Sequence, residues 1–432
     1  MIASLLFIVF LSMMMAGVPI GAALGLAGAA CIALANADSQ WFGLLAVPQN
    51  FYAGLGKYPL LAIPMFVLVG SIFDRSGVAA RLVNFAVAIV GRGPGMLPLV
   101  AIGVAMFMGG ISGSGPATAA AVGGVMIAAM HRAGYPAGFS ASVVAGAAAT
   151  DILIPPSVAF IVYSVLVPGA SVPALFAAGL FPGMLAGLAL IIPAVWLARR
   201  HGMGQLEASL PRPPFWKSLR EAAWGLAAPV LILGGMRMGW FTPTEAAVVA
   251  VFYGLFVGMV VYRTISVRDL FPILRESGEL SAVILLVVSL AGIFAYSLST
   301  LGVIDPVAKA IVNSGLGEYG VLALLIVLLI TVGMFLDGIS IFLIFVPLLL
   351  PIMNHYQWDP VWFGVILTLK VALGQFTPPL AVNLMVSCRI AGVRMESTVR
   401  WVGWMLLAMF LVMVLVIAFP QLALWLPARL GY

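Results

Sequence analysis

The sequence predicts an all-α polytopic membrane protein with two inverted-topology repeats, each containing a re-entrant helical hairpin and a broken helix. Composition sets the class, because 63% of the 432 residues are hydrophobic and only 8% are charged, whereas soluble domains average about 45–50% and 25%. Apolar runs of about 20 residues, long enough to cross a bilayer, follow one another along the chain. A set of glycine, hydroxyl and proline motifs occurs twice, which indicates two copies of one structural unit.

The repetition has a nearly constant spacing. Pro155-Pro156 in the first copy is followed 223 positions later by Pro378-Pro379. A Gly-Ile-Ser triplet also stands in each copy, at Gly110–Ser112 and at Gly338–Ser340. Three further pairs are separated by 224 positions: Pro136 and Pro360, Phe139 and Phe363, and Gly179 and Gly403.

The apolar runs and the repetition divide the chain into four predicted parts. They are residues 1–57, an N-terminal scaffold helix and loop; 58–198, the first repeat, with a hairpin over 96–130 and a broken helix over 138–167; 199–241, a cytoplasmic linker and connecting helix; and 242–432, the second repeat, with a hairpin over 321–353 and a broken helix over 361–392. The other predicted spanning helices cover 5–35, 58–74, 174–198, 224–239, 242–262, 281–301 and 398–424, and short amphipathic helices precede the hairpins at Val78–Val90 and Val303–Val312.

Each predicted hairpin is an apolar stretch that is too long for one crossing. The first is interrupted by small residues at Gly109–Gly115, and the second by an acidic and small segment at Asp337–Ser340. Non-helical backbone at membrane depth is tolerated where it is buried in protein or lines a wet cavity. Both hairpins are therefore expected to enter the membrane and return to the same side.

Basic residues predict the orientation, since they concentrate in cytoplasmic loops. Arg92, His131 and Arg132 flank the first hairpin, whereas the second has no Lys or Arg close to its ends. The first hairpin should therefore open to the cytoplasm and the second to the periplasm, with a cytoplasmic N-terminus and a periplasmic C-terminus. This orientation places eight more basic residues on the cytoplasmic side: Arg199, Arg200, Arg212, Lys217, Arg220, Arg263, Arg268 and Arg275.

The breaks in the helices are the predicted binding elements. A broken helix frees carbonyl oxygens at one half-helix end and N–H groups at the other. Carbonyl and hydroxyl oxygens bind a hard cation such as sodium, while the N–H ends attract an anion. The candidate sodium ligands are Gly110, Ser112, Ser114, Thr150, Pro155, Gly338, Ser340, Gly374, Thr377 and Pro378. The candidate substrate-binding residues are Ser114, Asp151, Pro156, Ser157, Asp337, Pro379, Asn383 and Arg389.

Several of these residues have plainer interpretations. Small residues also occur where helices pack closely, and a proline pair can simply kink a helix. Asp151 and Asp337 could cap broken helix ends, while Lys370 and Arg389 could either contact the substrate carboxylate or extend their charges to the membrane surface. The recurrence of the motifs in both copies favours a binding role for the hairpin tips and the proline pairs.

The sequence contains no pattern typical of an enzyme. No His-Glu-x-x-His, paired-aspartate or Ser-Lys arrangement occurs at helical spacing. Cys31 and Cys388 lie in apolar sequence without metal-ligand spacing. Glu245 is assigned a structural role, as the capping-box acid of a helix whose N-cap is Thr242. We expect no cofactor, no metal other than sodium as a coupling ion, and no nucleic-acid partner.

Four motifs in order resemble the large membrane subunit of tripartite ATP-independent periplasmic (TRAP) transporters, DctM-like, over essentially the whole chain. The resemblance implies an elevator-type fold of the ion-transporter superfamily and sodium-coupled import of organic acid anions, such as C4-dicarboxylates, across the bacterial inner membrane. It also implies two partners, a periplasmic substrate-binding protein and a separate small four-helix membrane subunit. The motifs are Gly109-Gly110-Ile111-Ser112-Gly113-Ser114, Ile154-Pro155-Pro156-Ser157, Thr242-Pro243-Thr244-Glu245-Ala246-Ala247, and Gly374-Gln375-Phe376-Thr377-Pro378-Pro379 with Asn383.

The chain departs from the family pattern at two places. The family often has a small residue where Asp151 stands, and often an acidic residue soon after the first hairpin tip, where this chain has Pro116-Ala117-Thr118. An alternative function is a stand-alone sodium and anion carrier of similar architecture that needs no binding protein. The sequence does not select the organic acid.

Overall fold

The computed structural model is helical throughout the residues that it describes, which are 2–35, 44–91, 93–209, 212–334, 336, 338–379 and 381–432. These residues form twenty α-helices joined by short turns, and none of them lies in a β-strand. The fold is therefore all-α, as predicted. Three residues of the predicted elements lie outside the described residues: Arg92, which flanks the first hairpin; Asp337, at the interruption of the second; and Leu380, in the second broken helix.

The N-terminal region differs from the prediction of one helix over 5–35. It contains two helices, α1 (Ile2–Met15) and α2 (Ile20–Ala35), which pack against each other. Gly17 lies between them with a φ of +85°, a left-handed conformation that glycine adopts without strain. Pro19 follows it, and proline cannot extend the preceding helix without losing a hydrogen bond. A further helix that was not predicted, α3 (Ala46–Leu55), follows.

The next helices contain the first predicted hairpin and broken helix. The helix α5 has the bounds that its amphipathic pattern predicted, and the hairpin and the broken helix are each interrupted at the predicted motif. A short 3₁₀ turn at Thr150–Ile152 extends the first half of the broken helix. The elements are α4 (Ala62–Arg75), α5 (Val78–Val90), α6 (Met96–Ser112), α7 (Gly115–Arg132), α8 (Ala137–Ala149) and α9 (Val158–Leu166).

Four long helices occupy the middle of the chain: α10 (Val172–Arg200), α11 (Phe215–Arg237), α12 (Pro243–Leu255) and α13 (Val267–Thr300). Thr242 and Glu245 form the predicted capping box at the start of α12. The helix α13 begins fourteen residues before the predicted start at residue 281. Its first turns carry charged residues such as Glu276, which is exposed, so the helix extends beyond the apolar part that the prediction identified.

The last part of the chain contains the second hairpin and the second broken helix. The predicted helix over 398–424 is divided in two near Pro420. The elements are α14 (Ile304–Val312), α15 (Gly317–Gly333), α16 (Gly338–His355), α17 (Pro360–Gly374), α18 (Val382–Ala391), α19 (Val399–Ala418) and α20 (Gln421–Leu430).

The helix bounds correct one detail of the repeat. Helices α7 and α16 begin 223 residues apart, as do α8 and α17. The two Gly-Ile-Ser triplets are 228 residues apart, however, so Gly110–Ser112 ends the first arm of one hairpin whereas Gly338–Ser340 begins the second arm of the other. The triplets are not equivalent positions under the predicted repeat, and the offset of 223 residues holds instead for the proline pairs and the helix starts.

The two broken helices form the centre of the molecule. Every residue of α8 from Gly138 to Ala149 is buried, and so is every residue of α17 from Val361 to Gly374. Within the described residues, six helices are long and apolar enough to cross a membrane. The chain is therefore membrane-embedded, with the four breaks held inside a helical frame.

Candidate functional site

The turn of the first hairpin packs directly on the first proline pair. Helix α6 ends at Ser112, and Gly113 reverses the chain with a φ of +60°. A side chain at Gly113 would collide with the carbonyl oxygen of Pro156, and one at Gly110 would lie 3.5 Å from the carbonyl oxygen of Pro155. Glycine at position 113 therefore allows the hairpin backbone to approach the Pro156 carbonyl, whereas the contact beside Gly110 is an ordinary van der Waals distance.

The start of α7 reaches across to the second break. A Cβ atom at Gly115 would lie 2.7 Å from Nδ2 of Asn383 and 2.8 Å from Oε1 of Gln375. Asn383 is fully buried and donates a hydrogen bond from Nδ2 to Gln375 Oε1 at 3.2 Å, while its Oδ1 has no partner in the part of the chain that the structure describes. The first hairpin and the second broken helix thus meet at one polar cluster.

Each broken helix carries one predicted hydroxyl ligand close to its break. Thr150 donates from Oγ1 to the carbonyl oxygen of Ala147 at 2.8 Å, and Thr377 donates to that of Leu373 at 2.6 Å. Each hydroxyl uses its hydrogen within its own helix, so lone pairs of the oxygen are available to a cation. Ser157 has a different task, because its Oγ accepts from the N–H of Phe160 and caps α9.

The second hairpin also packs tightly on its broken helix. Gly338 leaves no room for a side chain beside Val371. A Cβ atom at Gly374 would lie 2.8 Å from the carbonyl oxygen of Gly333, the last residue of α15. Ser340 is 1% exposed at the start of α16. Hence Gly338, Ser340 and Gly374 belong to one tightly packed region. Asp337, a predicted substrate-binding residue, lies outside the described residues.

Both proline pairs contain a cis peptide bond, Pro155-Pro156 and Pro378-Pro379. Their surroundings differ, because the first pair is buried and Pro379 of the second is exposed. The first proline pair is therefore buried in protein, whereas Pro379 of the second pair is at the surface of the described residues.

Asp151 of the first broken helix and Thr118 of the first hairpin lie side by side. Asp151 is fully buried, and neither of its carboxyl oxygens has a hydrogen-bond partner among the described residues. The Thr118 hydroxyl lies beside this carboxyl group and is 3.1 Å from Ser112 Oγ. The carboxyl of Asp74, on α4, is also close enough to act on Asp151.

The two predicted basic candidates lie apart from this cluster. Lys370 is 2% exposed and donates from Nζ to the carbonyl oxygen of Leu325 at 3.3 Å. Arg389 is exposed in the last turn of α18, nearly two turns beyond Asn383. The positions of Lys370 and Arg389 do not test a substrate contact. The roles assigned to all the candidate residues remain predictions.

Sequence reasoning overlooked three polar residues at the site: Thr118, Gln375 and Asp74. Thr118 is a polar residue in a helix otherwise rich in alanine and glycine, and Gln375 directly follows the end of α17. These are weak signals, because each residue acquires its place only through contacts between distant elements. The structure shows no group of three or more His, Cys, Asp or Glu residues arranged for a metal ion among the described residues.

Comparison with known proteins identifies the family. A sequence model described as "Tripartite ATP-independent periplasmic transporter, DctM component" matches residues 7–422. The chain belongs to the DctM family. Proteins of this family are named as transporter permeases, so this DctM-family chain is a membrane transporter component and not an enzyme.

Relatives of the DctM-family chain carry different substrates in their names. The C4-dicarboxylate TRAP transporter large permease protein DctM of Pseudomonas aeruginosa is 37% identical over 411 residues, with 94% of each chain covered. The isethionate TRAP transporter permease protein DctMQ of Oleidesulfovibrio alaskensis is 37% identical over 392 residues, which cover 91% of this chain and 61% of the relative. The chain thus spans less than two thirds of that longer relative.

A solved structure shares the fold. The YdaH transporter of Alcanivorax borkumensis superimposes with a TM-score of 0.59 at 13% identity, covering 89% of this chain and 91% of its own. At this identity the likeness concerns the fold alone, which supports the all-α transporter architecture.

Proposed function

We propose that this DctM-family chain is the large permease of a sodium-coupled TRAP transporter that imports organic acid anions, C4-dicarboxylates or related carboxylates, across the bacterial inner membrane. The observation that carries the proposal is the meeting of Gly115 with Asn383 and Gln375. This contact joins the first hairpin to the second break, so that oxygen ligands and half-helix ends of both halves line one region. Sodium and a carboxylate can then bind side by side and depend on each other.

Two sodium sites are proposed, one at each break. The first uses oxygen atoms around Ser112, Thr150 and Pro155, and the second uses those around Ser340 and Thr377. Backbone carbonyls freed at the breaks supply most ligands, and the hydroxyls complete them, as hard cations require. Sodium is a transported coupling ion in this proposal and not a resident cofactor.

The substrate carboxylate is proposed to bind between these sites, against the N–H groups at the starts of α9 and α18. Half-helix N-termini carry partial positive charge, which suits an anion without a buried arginine. Asn383 supplies a fully buried amide at this place. The exposed Arg389 is proposed to act at the approach to the site.

Transport is proposed to follow an elevator mechanism with inverted repeats. Residues 96–168 and 321–392, which contain the hairpins and broken helices, would move against a scaffold made of the other long helices. The orientation has a cytoplasmic N-terminus and a periplasmic C-terminus. An impermeant thiol reagent added to spheroplasts should label an Arg429→Cys variant and miss an Arg212→Cys variant; the reverse pattern would contradict the inverted repeats.

Two partners complete the proposed system, a periplasmic substrate-binding protein and a small membrane subunit. The helices α12 and α13 bear large exposed apolar side chains, among them Phe252, Phe271 and Leu286, which suit contact with a membrane subunit or with lipid. A chain reconstituted alone should transport more slowly than the complete assembly. Equal rates would favour the alternative, a stand-alone sodium and anion carrier.

Uptake into proteoliposomes tests the function. The complete assembly, with a binding protein loaded with a labelled C4-dicarboxylate, should accumulate substrate when an inward sodium gradient is imposed. A proton gradient in sodium-free buffer should give no accumulation. Equal uptake under the two gradients would overturn the sodium coupling, and uptake without any binding protein would favour the alternative carrier.

A further inference from the structure

A buried carboxyl group beside the first hairpin turn has no positively charged partner among the described residues. Asp151 is 0% exposed, and both of its side-chain oxygens lack a hydrogen-bond partner among the described residues. A buried carboxylate is costly unless it is paired, hydrogen-bonded or bound to a metal ion. The oxygens of Asp151 therefore define a place where a ligand with positive charge would be strongly favoured.

The groups around this carboxyl are oxygen atoms. The Thr118 hydroxyl lies beside it, and Thr118 Oγ1 is 3.1 Å from Ser112 Oγ. Thr118 and Ser112 are 0% and 2% exposed. A Cβ atom at Gly109 would lie 2.8 Å from Asp151 Oδ1, so the glycine makes room for the carboxyl against the hairpin arm. A carboxylate with two hydroxyls is a ligand set for a hard monovalent or divalent cation.

The charged residues around Asp151 are either acidic or engaged in other contacts. Asp74, on α4, adds a second carboxyl, and its Oδ1 also has no hydrogen-bond partner within the described ranges. The adjacent Arg75 is engaged in an ion pair with Glu276 at 2.6 Å. Lys370, on the neighbouring α17, donates its hydrogen bond to a carbonyl of α15. None of these basic groups pairs with Asp151, and a carboxylate substrate would be repelled by it.

We propose that Asp151, together with Ser112 and Thr118, forms a sodium site in which the Asp151 carboxylate is the charged ligand. This inference rests on the sodium coupling proposed above and replaces the predicted role of Asp151 in substrate binding. It gives the first break a fixed negative charge: the carboxyl stands on the broken helix and faces a hydroxyl on the hairpin.

Thermal unfolding of the purified full-length chain tests the site without a transport assay. Sodium chloride replaces potassium chloride at constant ionic strength, and the rise of the unfolding temperature with sodium gives an apparent dissociation constant. The wild-type chain should be stabilised by sodium. Asp151→Asn should raise the dissociation constant about tenfold or more, which corresponds to about 1.4 kcal/mol. Asp305→Asn, in the exposed first turn of α14, is the matched control and should behave as the wild type.

A double variant keeps the test valid if Asp151→Asn does not fold. Asp151→Gly combined with Thr118→Asp moves the carboxyl to the hairpin side of the same cluster and should restore much of the sodium stabilisation. Wild-type sodium affinity in Asp151→Asn, or no sodium response in the double variant when the single variant does not fold, would overturn the inference and leave the sodium coupling standing. Absence of any sodium effect on the wild-type chain would overturn both.

The organic acid provides the second readout. At saturating sodium, Asp151→Asn should bind the organic acid in the complete assembly with its wild-type half-saturation concentration, because the carboxylate contacts the ion and not the substrate. A weaker half-saturation concentration that sodium does not correct would place Asp151 in the substrate site and would overturn the inference.

Discussion

The two breaks have the same backbone spacing and different chemistry. Asp151 in the first break and Gly374 in the second are separated by 223 residues, the same offset as the proline pairs. In the first break, Gly109 makes room for the Asp151 carboxyl, whereas in the second Gly374 makes room for the carbonyl oxygen of Gly333. The close approach of hairpin and broken helix is common to both, but only the first carries a side-chain charge at this position.

From this difference we infer that the two predicted repeats share close backbone contacts more strictly than they share charged side chains. A backbone contact depends on the shape of two helices, and any side chain would disturb it. A charged side chain depends on the ligand that binds at the break, so it can occur in one of the two breaks alone. The two proposed sodium sites are therefore expected to be unequal, the first held by a carboxylate and the second by neutral oxygens.

The largest expected effect comes from filling the backbone contact of the second break. The added methyl group of Gly374→Ala would lie 2.8 Å from the carbonyl oxygen of Gly333, and a backbone atom cannot turn aside as a side chain can. We expect uptake to be abolished and the unfolding free energy to fall by about 1–3 kcal/mol. Gly403→Ala, where nothing lies within 4 Å, is the control. Normal uptake by Gly374→Ala would show that the contact is dispensable.

The contact between the first hairpin and the second break should give the next largest effect. Gly115→Ala would press on Asn383 and Gln375, and we expect its uptake rate to fall about tenfold, or about 1.4 kcal/mol. In an Asn383→Ala background the added methyl group loses its close contacts with Asn383 and keeps only the one with Gln375, so Gly115→Ala should cost less there. A double-mutant cycle on initial uptake rates should show a coupling of about 0.5–3 kcal/mol. Strictly additive losses would indicate that the two residues act separately.

Thr377 and Thr150, one near each break, allow the sodium affinities of the two proposed sites to be compared. Thr377→Val removes one oxygen from a site without a carboxylate, and we expect the half-saturating sodium concentration for uptake to rise about tenfold. Thr150→Val removes one hydroxyl oxygen near Asp151, whose charge still holds the ion, so the rise should be about threefold or less. Equal shifts in the two variants would argue against a special role for the first break.

The sequence predicted most of the scaffold because local features determine it. Val78–Val90 has its predicted bounds because an amphipathic pattern is enclosed by Gly77 and Gly91, both with positive φ. The single helix predicted over 5–35 was wrong, because Gly17 and Pro19 interrupt it without changing its hydropathy. The start of α13 was missed because charges end an apolar run but do not end a helix.

The site was predicted less completely for a related reason. Glycine and proline motifs identified the four breaks, since these residues act on their own backbone. The pairings of Thr118 with Asp151 and of Gly115 with Asn383 depend on how distant helices pack. No periodicity in the sequence reports such contacts. The equivalence of the two Gly-Ile-Ser triplets was wrong because similar letters fell on opposite sides of the hairpin turns.

The outer ends of the two hairpins extend the comparison. Tyr135 follows the first hairpin, and Trp358 follows the second 223 residues later. Trp358 donates from Nε1 to Glu318 Oε1 at 2.8 Å, and Glu318 belongs to the hairpin itself. Tyr135 donates instead to Glu207, which lies in the linker after α10. The second hairpin is therefore closed by its own residues, and the first is fastened to the segment that joins the two halves.

Glu207 accepts hydrogen bonds from three donors, so its removal tests how the first hairpin is attached to the linker. Besides the Tyr135 hydroxyl, its carboxylate accepts the N–H of Leu97 at 3.1 Å and that of Gly93 at 3.3 Å. Glu207→Ala should lower the unfolding free energy by about 1–3 kcal/mol because buried donors lose their acceptor, and it should leave the sodium affinity unchanged. Glu207→Gln retains one acceptor oxygen and should lose less. A sodium affinity lowered in either variant would link the linker to the first ion site.

The smallest expected effect is the pH dependence of this carboxyl group. Burial raises the pKa of Glu207, against the opposing influence of its hydrogen bonds from Tyr135, Leu97 and Gly93. Burial and the hydrogen bond to Glu207 also raise the pKa of Tyr135, so its hydroxyl remains a donor at neutral pH. Since the folded-state pKa of Glu207 lies above the unfolded value, its contribution to stability is fully present below the unfolded pKa and is lost as pH rises through the folded one. The unfolding temperature should therefore decline slightly over this range in the wild type and less in Glu207→Gln, and an identical decline in both would assign the effect to other groups.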